Sequence, residues 1–150
     1  MNNLIYEEFI IANTKFNIKK ELSFLKSSII ESLYILELKD DWDSEGSVGY
    51  SKSTWRYSIS FLLYLYEKIL NDYKITLNAP LIFHGIDGGI DFLLEKDSRN
   101  KFLMRLNKEC NEFSYYYEYN GIEMKGFHNI YEIQNVIIQN YLLLKRENLI

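Results

Sequence analysis

The chain has little of the residue types that carry most protein chemistry. Cys110 is the only cysteine. That excludes an internal disulfide and any thiolate zinc cluster within one copy, and a reducing cytoplasm is the natural compartment for it. Histidine occurs only at His84 and His128. Proline occurs once, at Pro80, which together with the Ile, Asn, Lys and Tyr bias is what an AT-rich coding sequence produces. Acids outnumber bases by 21 to 17: the formal net charge is −4, and no basic stripe of the kind a nucleic-acid binder presents is visible. No uncharged apolar run approaches the roughly 20 residues of a membrane span. The opening Met-Asn-Asn-Leu-Ile-Tyr-Glu-Glu lacks the basic region of a signal peptide. No phosphate-cradling glycine loop occurs, since Gly85, Gly88 and Gly89 sit in a hairpin context. The expectation is a cytoplasmic protein with no cofactor, no membrane contact and no direct nucleic-acid contact.

What is present is apolar and aromatic. Within 150 residues, 47% are hydrophobic and 16% aromatic, enough for one packed domain over residues 1–150. The acid is uneven. Residues 1–50 hold nine acids and five bases, whereas residues 51–150 hold twelve of each, so the first third carries all the net negative charge. That third could draw a basic partner or simply form a solvated face.

Residues 1–16 fit no single period and read as a short strand, a leading helix or an N-terminal extension. From Ile18 to Leu38 the residues Leu22, Leu25, Ile29, Leu33 and Leu36 recur at spacings of three and four, predicting one helix. Ser51 or Ser53 caps a second helix running to Tyr73, with Trp55, Ile59, Leu62, Leu63, Tyr66, Ile69 and Leu70 facing the core. Beyond Asn78 the period becomes two. Runs around Leu81, Ile90, Phe102 and Phe113 alternate, separated by Asp87-Gly88, Asp97–Asn100, Asn107–Asn111 and Asn120-Gly121, and a short strand Ile122–Lys125 follows. Asn129 caps a last helix bearing Ile133, Val136, Ile137, Tyr141 and Leu144. The predicted class is α+β: two N-terminal helices, an antiparallel meander of four to five strands and a C-terminal helix, with the helices on one sheet face.

The two faces of that sheet differ. One collects Ile90, Phe92, Leu94, Phe102, Met104, Leu106, Phe113, Tyr115 and Tyr117 and should be core. The other mixes Asp91, Glu95, Arg105 and Glu118 with Ile82, Leu93, Leu103 and Tyr116. It is too apolar for plain surface and too charged for core. Either a partner or the N-terminal sixteen residues should cover it.

The densest local signal is Asp40-Asp41-Trp42-Asp43-Ser44-Glu45-Gly46, with four carboxylates in seven residues. Mutual repulsion must be offset by backbone donors, a helix terminus or a cation. Asp41, Asp43, Glu45 and Gly46 match the opening of a calcium loop. The twelfth position is Lys52, where a bidentate Glu is needed, so they are only weak metal candidates. The alternative is a structured turn in which Asp41 or Asp43 accepts backbone N–H bonds and Trp42 plugs the core. His84 with Asp87 and Asp91 offers an acid–base pair, or merely a strand end. Cys110, between Glu109 and Asn111, has no neighbour that would activate a thiol. The tyrosine run at 115–119 suits an interaction surface or simply a strand.

Asp41-Trp42-Asp43-Ser44-Glu45-Gly46, then Ser51–Trp55 opening a helix, then Pro80–Phe83, then Asp87-Gly88-Gly89-Ile90-Asp91-Phe92, resembles a widespread, largely uncharacterised group of small bacterial proteins. Its pattern is (D/N)W(D/N)G-x-G-A … P-x-(I/V) … DG-x-I-x-(L/F)-x-(W/Y). The resemblance covers about residues 30–125, and Ser44 stands where that pattern carries glycine. It implies a compact helix-plus-sheet protein, often encoded near toxin or defence genes, and no catalytic residues. Trp42, Gly46, Trp55, Asp87, Gly88 and Gly89 are then a shared structural brace. The expected function is non-enzymatic: a protein-interaction module of antitoxin, immunity or defence-accessory type. Its partner would meet Asp41, Asp43, Glu45, Leu93, Leu103, Arg105 and Tyr116. The alternatives are a cation-dependent enzyme or sensor using residues 40–45, and a homo-oligomer joined through the second sheet face.

Overall fold

The computed structural model describes residues 5–128. The ambiguous N-terminal stretch is a hairpin, β1 (Tyr6–Ile11) and β2 (Thr14–Lys19), joined by Ala12-Asn13, both at positive φ. Two successive left-handed residues make the tight turn whose twist matches its strands. Phe16 and Ile18 are buried, whereas Lys15 and Asn17 are exposed, the alternation of a half-buried strand.

Residues 20–37 differ from the expected single α-helix. They form 3₁₀ turns at Lys20–Leu25, a short α1 at Lys26–Glu31, and 3₁₀ turns again at Ser32–Glu37. The buried positions are Leu22, Leu25, Ser28, Ile29, Ser32 and Ile35, while Leu33 and Leu36 are only half-buried. That is nearly a three-residue repeat, and side chains three apart eclipse one another in a 3₁₀ helix. The three-and-four spacing hid this, because Ser28 and Ser32 are polar in sequence yet buried in the fold.

Helix α2 (Lys52–Tyr73) begins where expected: Ser51 is the N-cap and its hydroxyl accepts the Thr54 N–H at 3.1 Å, a contact typically worth about 1 kcal/mol. The predicted core stripe is buried, and so are Thr54, Ser58, Phe61 and Leu65 on a second side. The contacts explain the wide buried arc. Trp55 meets Phe16 of the hairpin edge-on at 5.9 Å and donates its indole N–H to Ser32 Oγ at 2.9 Å. Tyr6 donates to Glu67, and Lys19 Nζ donates to Asn71 at 2.7 Å. Elsewhere on the helix Thr54 Oγ1 donates to the Lys108 carbonyl at 2.7 Å. Thus the N-terminal hairpin packs along α2 and belongs to the core cluster.

The meander is β3 (Leu81–His84), β4 (Ile90–Asp97), β5 (Asn100–Leu106), β6 (Phe113–Tyr119) and β7 (Ile122–His128), antiparallel and in that order across one five-stranded sheet. The fold is α+β, with this sheet, the two-stranded hairpin and helices. Rows Ile90–Leu106–Phe113, Phe92–Met104–Tyr115 and Leu94–Phe102–Tyr117 lie in register and form the predicted apolar inner face. Ile82 pairs with Phe92 and is buried on this inner face, not on the mixed one; Leu81 and Phe83 take the outer positions. The expected C-terminal helix from Asn129 lies outside the described residues.

Candidate functional site

The acidic loop is held by its own carboxylates. Asp40 Oδ1 accepts the Gly49 N–H at 2.8 Å, and Asp41 Oδ1 accepts the Gly46 N–H at 2.7 Å. Asp43 Oδ1 accepts the N–H groups of Glu45 and Ser47, and its Oδ2 accepts the Ser47 hydroxyl. These bonds, led by the Ser47 hydroxyl, hold the Asp43 carboxyl below the usual range. Backbone donors therefore offset the repulsion. Among the described residues no three acids, histidines or cysteines are gathered as metal ligands.

Trp42 does not plug the core. It is 37% exposed and its indole N–H donates to the Val48 carbonyl at 3.2 Å. Its ring lies 5.2 Å from His84, edge-on, and 6.4 Å from Tyr50. Tyr50 donates to the Gly85 carbonyl, and the Tyr34 hydroxyl lies 2.8 Å from His84 Nδ1. Four aromatic rings thereby tie loop 40–50 and the segment 32–37 to the β3–β4 turn. Sequence reasoning missed Tyr34 and Tyr50. Tyr50 had a usable signal, since it directly precedes the N-cap, where an apolar residue often fixes the chain's entry into a helix. Tyr34 had none.

The turn opposite is built by backbone approach. Asp87 (φ 50°) and Gly88 (φ 81°) are left-handed, as the Asp-Gly pair predicts. Gly89 admits the Leu106 carbonyl, which would lie 2.5 Å from any Cβ there. Gly85 lies against Asp91, whose Oδ1 would sit 2.5 Å from an added Cβ. Asp91 is only 2% exposed and is matched by Arg105, with Nε on Oδ1 at 2.6 Å and Nη2 on Oδ2 at 2.7 Å. This fork is the favourable geometry for a buried carboxylate, and it raises the Arg105 pKa further above its already high value. Burial, with the Asp91 charge behind it, pushes the Tyr50 phenol up.

The result is a cleft of about 470 Å³ lined by Trp42, Asp43, Tyr50, His84, Asp87 and the Asp91–Arg105 pair, among others. Histidine and acids thus converge, but not as a catalytic pair. His84 is in register with Ile90, and Phe83 with Asp91. Each is bound elsewhere, His84 to Tyr34 and Asp91 to Arg105.

Arg105 also lines two further hollows, one with Leu103, Ser114, Tyr116 and Lys125, the other with Asp87, Asn107 and Glu112. The outer face is ordered by register: Leu81, Leu93, Leu103, Tyr116 and Lys125 form one row across all five strands. Leu93, Leu103 and Tyr116 are half-buried and Leu81 is exposed. Tyr116 Oη sits 2.8 Å from Glu118 and 2.9 Å from Glu123. The bond to Glu118 is the main cause that holds its phenol well above the usual range. Of the expected partner-facing residues, Arg105, Leu103 and Tyr116 share one surface hollow, while Asp43 shares the cleft with Arg105. Asp41 and Glu45 are exposed on the loop. Cys110 is half-buried, and burial pushes its thiol pKa up. No helix among the described residues is long and apolar enough to cross a membrane. Comparison with protein-family models, curated proteins and solved structures finds no match to this chain.

Proposed function

We propose that this protein is a non-enzymatic interaction module whose protein partner meets the acidic loop and the outer face of the five-stranded sheet. The observation that carries the reading is the strip joined by Arg105. It runs from the Trp42 cleft to a row of half-buried Leu93, Leu103 and Tyr116. Such a strip combines aromatic anchors and an arginine, the residue types enriched at protein interfaces, with leucines that add apolar area. In this reading the helices cover the inner face and leave the outer face to the partner. The resemblance to the tryptophan-turn group supports a toxin or defence effector as that partner, and the lone cysteine supports a cytoplasmic setting.

The test uses the combined variant Asp41→Asn, Asp43→Asn and Glu45→Gln. The amides at 41 and 43 keep the Oδ1 acceptor of the backbone N–H groups while removing charge, and at 43 the Ser47 hydroxyl must turn to accept from the new amide. Affinity for a partner isolated with the protein should fall at least about tenfold, with a weaker salt dependence. A second variant, Leu103→Arg, should abolish binding while the protein stays folded by circular dichroism. Unchanged affinity in both would sink the surface assignment.

A further inference from the structure

The cleft between the Trp42 loop and the β3–β4 turn has a composition more specific than a general interface. Its lining contains three carboxylates, Asp43, Asp87 and Asp91, one guanidinium, Arg105, and no lysine. Asp91 neutralises Arg105 through both contacts. Two carboxylates remain in excess. Asp43 is spent in part on the loop, whereas Asp87 is exposed and accepts no hydrogen bond among the described residues. The walls are Trp42, Tyr50, Phe83 and His84. Trp42 is turned by its bond to Val48 and retains an exposed ring surface. An aromatic face carries negative potential and attracts a cation lying within about 6 Å of its centre. Carboxylates beside it add to that attraction in a concave site partly shielded from water.

We infer that this cleft takes a cationic side chain of the partner, a guanidinium in preference to an ammonium, seated on Trp42 and paired with Asp87. Guanidinium is favoured because it is planar. It stacks on an indole while its fork meets a carboxylate, and it loses less hydration than an ammonium. A volume of about 470 Å³ accommodates such a group with part of its stem. The inference rests on the interaction-module reading and names its anchor.

The test is nuclear magnetic resonance titration with arginine amide, using lysine amide and citrulline amide as probes of charge and planarity. The Trp42 indole N–H, assigned with Trp42→Phe, and the His84 ring signals should shift and saturate with arginine amide. Lysine amide should bind several-fold more weakly. Citrulline amide, of the same shape without charge, should shift them at least tenfold less at equal concentration. Asp87→Asn should weaken the arginine response about tenfold, leaving the inner-core signals in place. Equal response to citrulline amide, or full response in Asp87→Asn, would overturn the inference. Dimerisation seen by light scattering and reversed by arginine amide would also overturn it, because a second copy would then be the occupant. Failure here, with partner affinity still sensitive to the amide variants of Asp41, Asp43 and Glu45, removes only the anchor. The converse pattern removes the loop's role and keeps the cleft.

Discussion

Two tryptophans thirteen residues apart meet opposite fates. Trp55 is fully buried, its indole N–H given to Ser32 and its ring to Phe16. Trp42 is more than one-third exposed, its N–H given to a carbonyl of its own loop and its ring to His84. The first joins hairpin, 3₁₀ segment and α2. The second fastens a loop to a turn and keeps a face outward. Both count as braces in the sequence, but only Trp55 is surrounded by the fold. The difference separates what holds the molecule together from what it presents.

The largest expected effect attacks the core. Trp55→Ala should cost about 3–5 kcal/mol, the usual range for truncating a buried large aromatic, as read by chemical denaturation. A loss no greater than that of Trp42→Ala would break the comparison. Arg105→Ala comes next at about 3 kcal/mol, because it leaves the Asp91 carboxylate buried without its partner. A lower midpoint at an unchanged denaturant slope would show that stability fell and compactness did not. Trp42→Ala should cost about 1 kcal/mol or less while abolishing any cleft ligand, a loss of binding without loss of fold. Ser44→Gly should stabilise by about 0.5–1 kcal/mol, since Ser44 holds φ 59° where glycine suffers no side-chain strain. Its thermal midpoint should rise by a few degrees.

The smallest effect is a dependence on pH. The Asp43 carboxyl is held below its ordinary value by bonds from Ser47 and Glu45. Its folded form thus favours the charged state, and the stabilisation is present above the unfolded value, about 3.9. It is lost as pH falls below that value through the folded one. The Trp42 indole signal should move below about pH 4 before the Trp55 signal does. Simultaneous movement would merge the two regions again.

The sheet was legible in the sequence because its alternation is strict and its turns carry strong chemistry. Nine inner-face residues fall into three exact cross-strand rows. The Ile82 position was misassigned because β3 is only four residues long, too short for alternation alone to fix its phase against β4. The 3₁₀ segment was hidden by buried serines, and the N-terminal hairpin by a turn, Ala12-Asn13, that lacks glycine. The acidic loop announced itself through charge, yet its geometry depends on side chains accepting from backbone, which no spacing rule shows. The cleft was least legible of all, since Tyr50, His84, Asp91 and Arg105 come from the acidic loop and three separate strands.

The bonding of the acidic loop has a consequence for which substitutions its shape tolerates. Asp40, Asp41 and Asp43 each contribute an oxygen acceptor, and Asp41 also occupies a left-handed backbone position that Asp and Asn share. Asparagine meets both demands at Asp41, whereas at Asp43 it would keep only one of the two accepting oxygens. The interchange of Asp and Asn in the pattern this loop resembles is what that geometry permits. At Asp41 shape and charge are therefore separable: an amide there removes the charge and leaves both the acceptor and the left-handed turn in place.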